Sequence, residues 1–153
     1  MPVPKSVTRI TKDGVKYVSS VDRCSYTIKE LSRAALRDVG KFVCITTNKK
    51  AQKLFHNSMR KSKRVRGTNG AFQYWARKKE CDLQVGIKHD TWYGTEQELG
   101  SSKMRRHGFL TSSVQDNIAT IVEIESQYLS ALEDEAKALA LIDEEEYSGG
   151  GEE

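Results

Sequence analysis

The chain has 153 residues, of which 37% are hydrophobic and 30% are charged, with a formal net charge of +4. A chain of this length is near the modal size of one domain and can bury a core without metal or disulfide staples. No run approaches the length of about 18 apolar residues that a membrane span needs, and Met1–Ser6 lacks the apolar region of a secretory signal. The three cysteines are odd in number and far apart, which favours reduced thiols in a cytosolic setting.

The net charge hides an asymmetry along the chain. Every formal charge from Lys41 to Lys79 is basic, whereas after Ala131 the charges are acidic except for Lys137. Such a chain is suited to binding an anionic partner or to pairing with copies of itself. The alternative is a solvated basic face and a disordered acidic tail, over residues 143–153, that bind nothing.

The first predicted element is a β-hairpin within an N-terminal arm, residues 1–26. Val7–Thr11 and Val15–Val18 are short β-prone runs on either side of Lys12–Gly14. The Asp-Gly pair in that connection supplies the positive φ angles of a tight turn. Because two strands alone are marginally stable in water, we expect the hairpin to dock on a sheet edge or on a neighbour.

A long amphipathic helix is predicted next, from about Ile28 to Met59, as the start of a main domain over residues 27–142. Thr27 and Glu30 form a capping box at its beginning. A β-branched run makes Thr46–Asn48 a candidate kink. The apolar positions that recur at helical spacing are Ile28, Leu31, Ala35, Val39, Phe42, Val43, Ala51, Leu54, Phe55 and Met59.

A loop and two strands follow this helix. Lys61–Gly70 is basic, contains glycine and has no periodicity, which is typical of a loop. Phe72–Arg77 is aromatic and Asp82–Lys88 alternates between polar and apolar residues, so the two runs are predicted to pair antiparallel. Alternation along the first strand predicts that Phe72 and Tyr74 are buried on one face and that Trp75 is exposed on the other face.

A second long helix is predicted to close the domain, over about residues 112–141. Ser112 with Gln115, or Ser113 with Asp116, would form a capping box at its start. One continuous apolar stripe on this helix would comprise Val114, Ile118, Ile121, Val122, Tyr128, Leu129, Leu132, Ala136 and Leu139. The predicted fold class is α+β, with a small antiparallel sheet packed against two long helices and an N-terminal β-hairpin.

No catalytic or metal-binding pattern stands out in the sequence. The three histidines are scattered, and no Cys or His pair has the spacing of metal ligands. Glu96 and Glu98 are paired carboxylates of the kind that can do acid–base work. Two residues apart in a loop, they are expected to be solvated instead. We therefore expect a protein that is not an enzyme and that needs no cofactor or metal.

The basic middle of the chain lies beside aromatic residues of the first predicted sheet strand. Cations that meet phosphates and aromatics that stack on bases are typical of nucleic-acid surfaces. A small basic nucleic-acid-binding accessory protein is therefore one interpretation. In the other interpretation the aromatics are sheet core, and Arg64–Arg66 belongs to a loop that charge keeps soluble.

The stretch Leu83–Leu132 carries a series of short motifs. In chain order they are Val85-Gly86 at the end of a strand, Tyr93, Glu98-Leu99-Gly100 and Gly108-Phe109-Leu110 before the closing helix. With the upstream helix, loop and strand pair, the range Thr27–Leu132 resembles the tail-completion, or head–tail joining, family of long-tailed (siphovirus-type) bacteriophages. Members often carry a proline and Thr-Gly before the strand pair and a proline before Phe-Leu. This sequence has Gly67–Gly70 and His107-Gly108 in those places.

The resemblance implies a structural virion protein that is made in the host cytoplasm and located at the head–tail junction. Such subunits form a ring, commonly a hexamer, between the head connector or stopper protein and the tail tube or tail terminator protein. Rings use heterologous interfaces, and opposite charges on the two faces would fix the register of neighbouring copies. DNA passes through the ring without specific binding, so we expect the Lys61–Arg66 loop to face a protein partner or the outer surface.

By the same analogy, the loop Asp90–Gly108 and the N-terminal hairpin are candidates for contacts between copies or with the tail. Apolar and aromatic side chains in a polar loop are favoured interface anchors. We expect Trp92→Ala or Tyr93→Ala to weaken assembly while the monomer stays folded. The interface candidates are Trp92, Tyr93, Leu99, Met104, Arg64 and Arg66.

Overall fold

The computed structural model describes residues 4–11, 14, 16–55, 70–77, 80–91, 93–134 and 137–142. The helices and strands are β1 (Val7–Ile10), β2 (Lys16–Ser19), α1 (Val21–Phe55), β3 (Phe72–Arg77), β4 (Asp82–Ile87), α2 (Tyr93–Leu99), α3 (Phe109–Asp116) and α4 (Ile118–Ser130), then a 3-10 turn (Ala131–Glu133) and a helical segment at 137–142. The predicted α+β class is confirmed. The chain forms two compact units: unit 1 contains Met1–Ala35 and Ser126–Glu153, and unit 2 contains Leu36–Glu125.

The N-terminal hairpin is confirmed in unit 1. β1 and β2 pair antiparallel, with Ile10 opposite Lys16. Gly14 has a φ of 78°, and its N–H donates to the carbonyl oxygen of Thr11 at 3.0 Å. Because side chains disfavour positive φ, glycine at this position is what permits the turn. Ile10 and Val18 remain mostly exposed.

The first helix begins at Val21, ahead of the predicted capping box. Thr27 lies inside the helix, where its hydroxyl donates to the carbonyl oxygen of Arg23 at 3.0 Å. Glu30 pairs within the helix as well. A threonine hydroxyl can bond to a carbonyl one turn back as readily as it caps a helix, so the motif did not mark the start. The negative charge of Asp22, in the first turn, instead stabilises the start of the helix by its interaction with the positive end of the helix dipole.

α1 runs without interruption through the candidate kink at Thr46–Asn48. The hydroxyls of both threonines donate to the carbonyl oxygens four residues earlier, at 2.9 and 2.7 Å. These bonds satisfy the hydroxyls inside the helix, so the β-branched run does not end it. The predicted helix end at Met59 lies outside the described residues, as does the predicted acidic tail at 143–153.

The core of unit 2 lies between the β3–β4 sheet and the second half of α1. β3 and β4 pair antiparallel as predicted, with Phe72 opposite Ile87. A buried cluster of Cys44, Ala51, Phe72 and Phe109 is completed by Tyr74, Val85, Ile87 and Leu110. Gly40 makes the close approach possible, because a Cβ atom there would lie 2.6 Å from the Tyr74 ring. The predicted alternation along β3 is confirmed, since Trp75 is 65% exposed.

The single closing helix that the sequence predicted is wrong. The chain forms α3 and α4, and between them Asn117 has φ −123° and ψ 21°, outside the helical region. The Asn117 side-chain amide donates to the carbonyl oxygen of Ser113 at 2.8 Å, a bond that competes with the helical backbone. α3 also begins at Phe109, before either predicted capping box.

Candidate assembly surface

A closed loop joins α2 to α3 in unit 2. Gly100, with a φ of 84°, follows the end of α2. Ser101 and Met104 exchange backbone hydrogen bonds, and the N–H of His107 donates to the carbonyl oxygen of Gln97 at 2.8 Å. These bonds return the chain to α2 just before α3 begins.

The carboxylate of Glu98 holds the first turn of α3. It accepts hydrogen bonds from the N–H groups of Leu110 and Thr111, both at 3.0 Å, and from the Thr111 hydroxyl at 2.9 Å. The first N–H groups of a helix have no partner within it, and a negative charge there also favours the helix dipole. The expectation that both carboxylates of this loop are solvated is therefore wrong for Glu98, which is buried, whereas Glu96 is exposed.

Gly108 precedes this turn with φ 59° and ψ 42°, a left-handed conformation. Proline fixes φ near about −65°, so it could not take this position in the observed backbone. The His107 ring stacks on Phe109, with ring centroids 5.3 Å apart. The motifs Glu98–Gly100 and Gly108–Leu110, noted in the sequence, are thus joined by the cap that Glu98 provides.

The predicted interface residues have different surroundings. Tyr93 begins α2 and is half-buried, Leu99 ends it and is 67% exposed, and Met104 is half-buried in the closed loop. The structure therefore brings these three side chains into one segment, α2 with its loop. Trp92, Arg64 and Arg66 lie outside the described residues.

Exposed apolar side chains lie on both α3 and α4 in unit 2. Val114 on α3 is 38% exposed, and Ile118 and Val122, one turn apart on α4, are each 56% exposed. We call these three residues the α3–α4 face. All three belong to the apolar stripe that the sequence predicts on a single closing helix, yet in the structure they lie on two helices and remain exposed. A helical repeat shows that residues share a side, but not that another element covers that side.

The outer face of the β3–β4 sheet carries a second exposed apolar group. Trp75 lies opposite Gln84, and Arg77 lies opposite Asp82 on the same face. The Arg77 guanidinium donates two hydrogen bonds to Asp82, at 2.9 and 2.7 Å, and forms an ion pair with Glu80. The indole is therefore exposed beside a cation that acidic side chains already neutralise.

Unit 2 also contains a contact between α1 and α3. The Lys50 ammonium donates to the Asp116 carboxylate at 2.6 Å and to the Ser112 hydroxyl at 3.2 Å. These two bonds join the last turns of α3 to the second half of α1.

Comparisons of the chain with protein-family models, with curated proteins and with solved structures found no match. Among the described residues, no group of three or more His, Cys, Asp or Glu side chains could hold a metal ion. Within the same part of the chain, no helix has the length and apolar character to cross a membrane.

Proposed function

We propose that this chain is a structural subunit of a phage neck, which completes the tail and joins it to the head connector as part of a ring. The α3–α4 face is the observation that carries this proposal. Single exposed apolar side chains are normal on a protein surface, whereas larger exposed apolar patches mark interaction sites. Val114, Ile118 and Val122 are exposed on consecutive helices of unit 2, which fits a protein that works by binding other proteins.

Covering the α3–α4 face would contribute useful binding energy. Full burial of a Val or Ile side chain is worth about 1.5–3 kcal/mol. Ile118 and Val122 are about half exposed, so about half of this energy is still to be gained. A partner that covers the face therefore gains roughly 1 kcal/mol per residue. Three such residues together correspond to about a hundredfold in a binding constant. That gain is available only in an assembly.

The neck in particular is supported by the sequence motifs. Their order resembles the tail-completion family, and the Glu98 carboxylate joins two of them through its bonds to Leu110 and Thr111. In this proposal the partners are further copies in a commonly hexameric ring, the head connector or stopper, and the tail tube or tail terminator protein. The location is the head–tail junction of the virion, and DNA passes through the ring without specific binding.

A second candidate function is nucleic-acid binding, and Trp75 is the observation that favours it. An exposed indole on a sheet can stack on a base. However, the Arg77 cation on the same face is already paired with Asp82 and Glu80, so it has less charge to offer a phosphate. A titration of the indole fluorescence with single-stranded DNA tests this function, because phosphate binding weakens steeply as salt increases.

Electron microscopy of particles made without this protein tests the neck function. We expect filled heads to accumulate beside separate, otherwise complete tails, and the wild-type chain supplied in trans to restore joined particles. Normally joined particles in the deletion would contradict the proposal. Nucleic-acid binding would then become the leading function to test.

A further inference from the structure

We infer that the α3–α4 face of one copy docks on the basic side of α1 in a second copy of this chain. This inference rests on the proposed function, because it identifies the occupant of the same face. We define the basic α1 side as Ile45, Lys49 and Lys53, all in unit 2.

The basic α1 side combines an apolar group with two cations. Ile45 is 53% exposed, and Lys49 and Lys53 are exposed as well. Residues four apart on a helix lie one above the other, so the three side chains form a row. From Lys41 to Phe55, α1 contains no acidic residue. A surface of this kind fits a partner with both apolar and negatively charged side chains.

The α3–α4 face has the complementary character. Ile118 and Val122 are followed on the same side of α4 by Glu125, one turn further along and half-buried. From Phe109 to Glu125 the chain contains no lysine or arginine. The two surfaces therefore match in both respects, with apolar groups on each and opposite charges beside them.

The charge pattern favours two different faces meeting. Pairing of the basic α1 side with itself would bring Lys49 and Lys53 of two copies together, and pairing of the α3–α4 face with itself would leave Glu125 without an opposite charge. Like charges at an interface are unfavourable. A contact between two different faces is heterologous, and it leaves one face of each kind free at the ends of every chain of copies. Repetition of that contact closes a ring or extends a filament.

Reciprocal charge reversal tests this inference. The Glu125→Lys variant and the Lys49→Glu/Lys53→Glu variant each place like charges across the proposed contact. We expect each variant alone to raise the dissociation constant of self-association by at least about tenfold, measured by sedimentation equilibrium over a wide range of protein concentration. An equimolar mixture of the two variants should associate again, because each kind of contact between them then joins opposite charges. One chain with all three substitutions should also associate.

Matched controls separate this effect from a general change of charge. Glu96→Lys on α2 and Lys103→Glu in the closed loop make the same reversals at exposed positions that belong to neither face. We expect these two variants to associate like the wild type. Circular dichroism should show the wild-type fold for every variant, since the reversed lysines are exposed and the carboxylate is only half-buried.

Three results would overturn the inference: wild-type protein that stays monomeric throughout, reversals without effect, or a mixture that fails to associate. The neck function has a separate readout in the deletion. Unjoined heads and tails without charge rescue would retain the neck function and reject this contact. Charge rescue together with normally joined deletion particles would retain the contact and reject the neck function.

Discussion

Unit 2 contains two apolar faces that helical and strand periodicity identify equally well, and only one of them is buried. The inner face of the sheet and the start of α3 contribute Phe72 and Phe109, which are 4% and 2% exposed. The α3–α4 face contributes Ile118 and Val122, each 56% exposed. The difference shows that a repeat in the sequence identifies an apolar surface. Whether that surface is buried within the chain depends on whether another element of the chain packs against it.

Small residues on neighbouring elements explain why the inner face is covered. Gly40 of α1 admits the ring of Tyr74, and Gly94 of α2 admits the side chain of Ile87, which would lie 2.9 Å from a Cβ atom there. Such close approaches allow dense packing between helix and sheet. The exposure of Ile118 and Val122 shows that they have no comparable cover in the described part of unit 2.

The largest expected effect comes from breaking the inner face. Phe109→Ala removes a buried ring from the core cluster and should lower the free energy of unfolding by about 3–5 kcal/mol. Val122→Ala, its counterpart on the α3–α4 face, should lower it by less than about 1 kcal/mol, because the side chain is already half in water. Urea unfolding of both variants measures the contrast. Equal losses would mean that the two faces do not differ.

The next effect concerns the cap that connects α2 to α3. Glu98→Ala leaves the N–H groups of Leu110 and Thr111 without their carboxylate acceptor, and should lower the free energy of unfolding by about 2 kcal/mol. Glu96→Ala is the control, with an expected change within about 0.5 kcal/mol, since its side chain is exposed. A loss at Glu96 as large as that at Glu98 would reject the cap.

A smaller effect distinguishes two glycines of the same unit. Gly40→Ala raises helix propensity by about 1 kcal/mol, but its Cβ would meet the Tyr74 ring at 2.6 Å and the Leu83 side chain at 3.0 Å. We expect a net loss of about 1–2 kcal/mol in thermal or urea unfolding. Gly86→Ala meets no atom within 4 Å and should change stability by less than about 0.5 kcal/mol. If Gly40→Ala instead raised stability, the sheet would not pack closely against α1 at this position.

Local signals predicted the local features of this fold. The Asp-Gly pair before Val15 predicted the N-terminal hairpin, and alternation along β3 predicted the exposure of Trp75. Both depend on residues that are adjacent or two apart. The role of Glu98 was missed because its partners lie 12 and 13 residues later, in another element. The break at Asn117 was missed because one side-chain bond to Ser113 decides it.

The surface was harder to predict than the fold. The sequence selected Leu99 as an interface residue, and its exposure fits that role, but it did not select Ile118 and Val122, which it placed in the apolar stripe of the closing helix. One signal was available: Ile124 lies on a different side of the same helix from Ile118 and Val122, so α4 has more apolar surface than one packing face can cover. The apolar surface that is left exposed can be covered only by a partner, and the sequence pattern does not identify that partner.

The most direct test of the central claim uses the double variant Ile118→Ser/Val122→Ser. The purified variant should lose less than about 2 kcal/mol of unfolding free energy, because both side chains are already about half exposed. Supplied in trans to particles that lack the protein, it should leave filled heads and separate tails, as the deletion does. Normal joining by the variant, or a loss of stability like that of Phe109→Ala, would contradict the account.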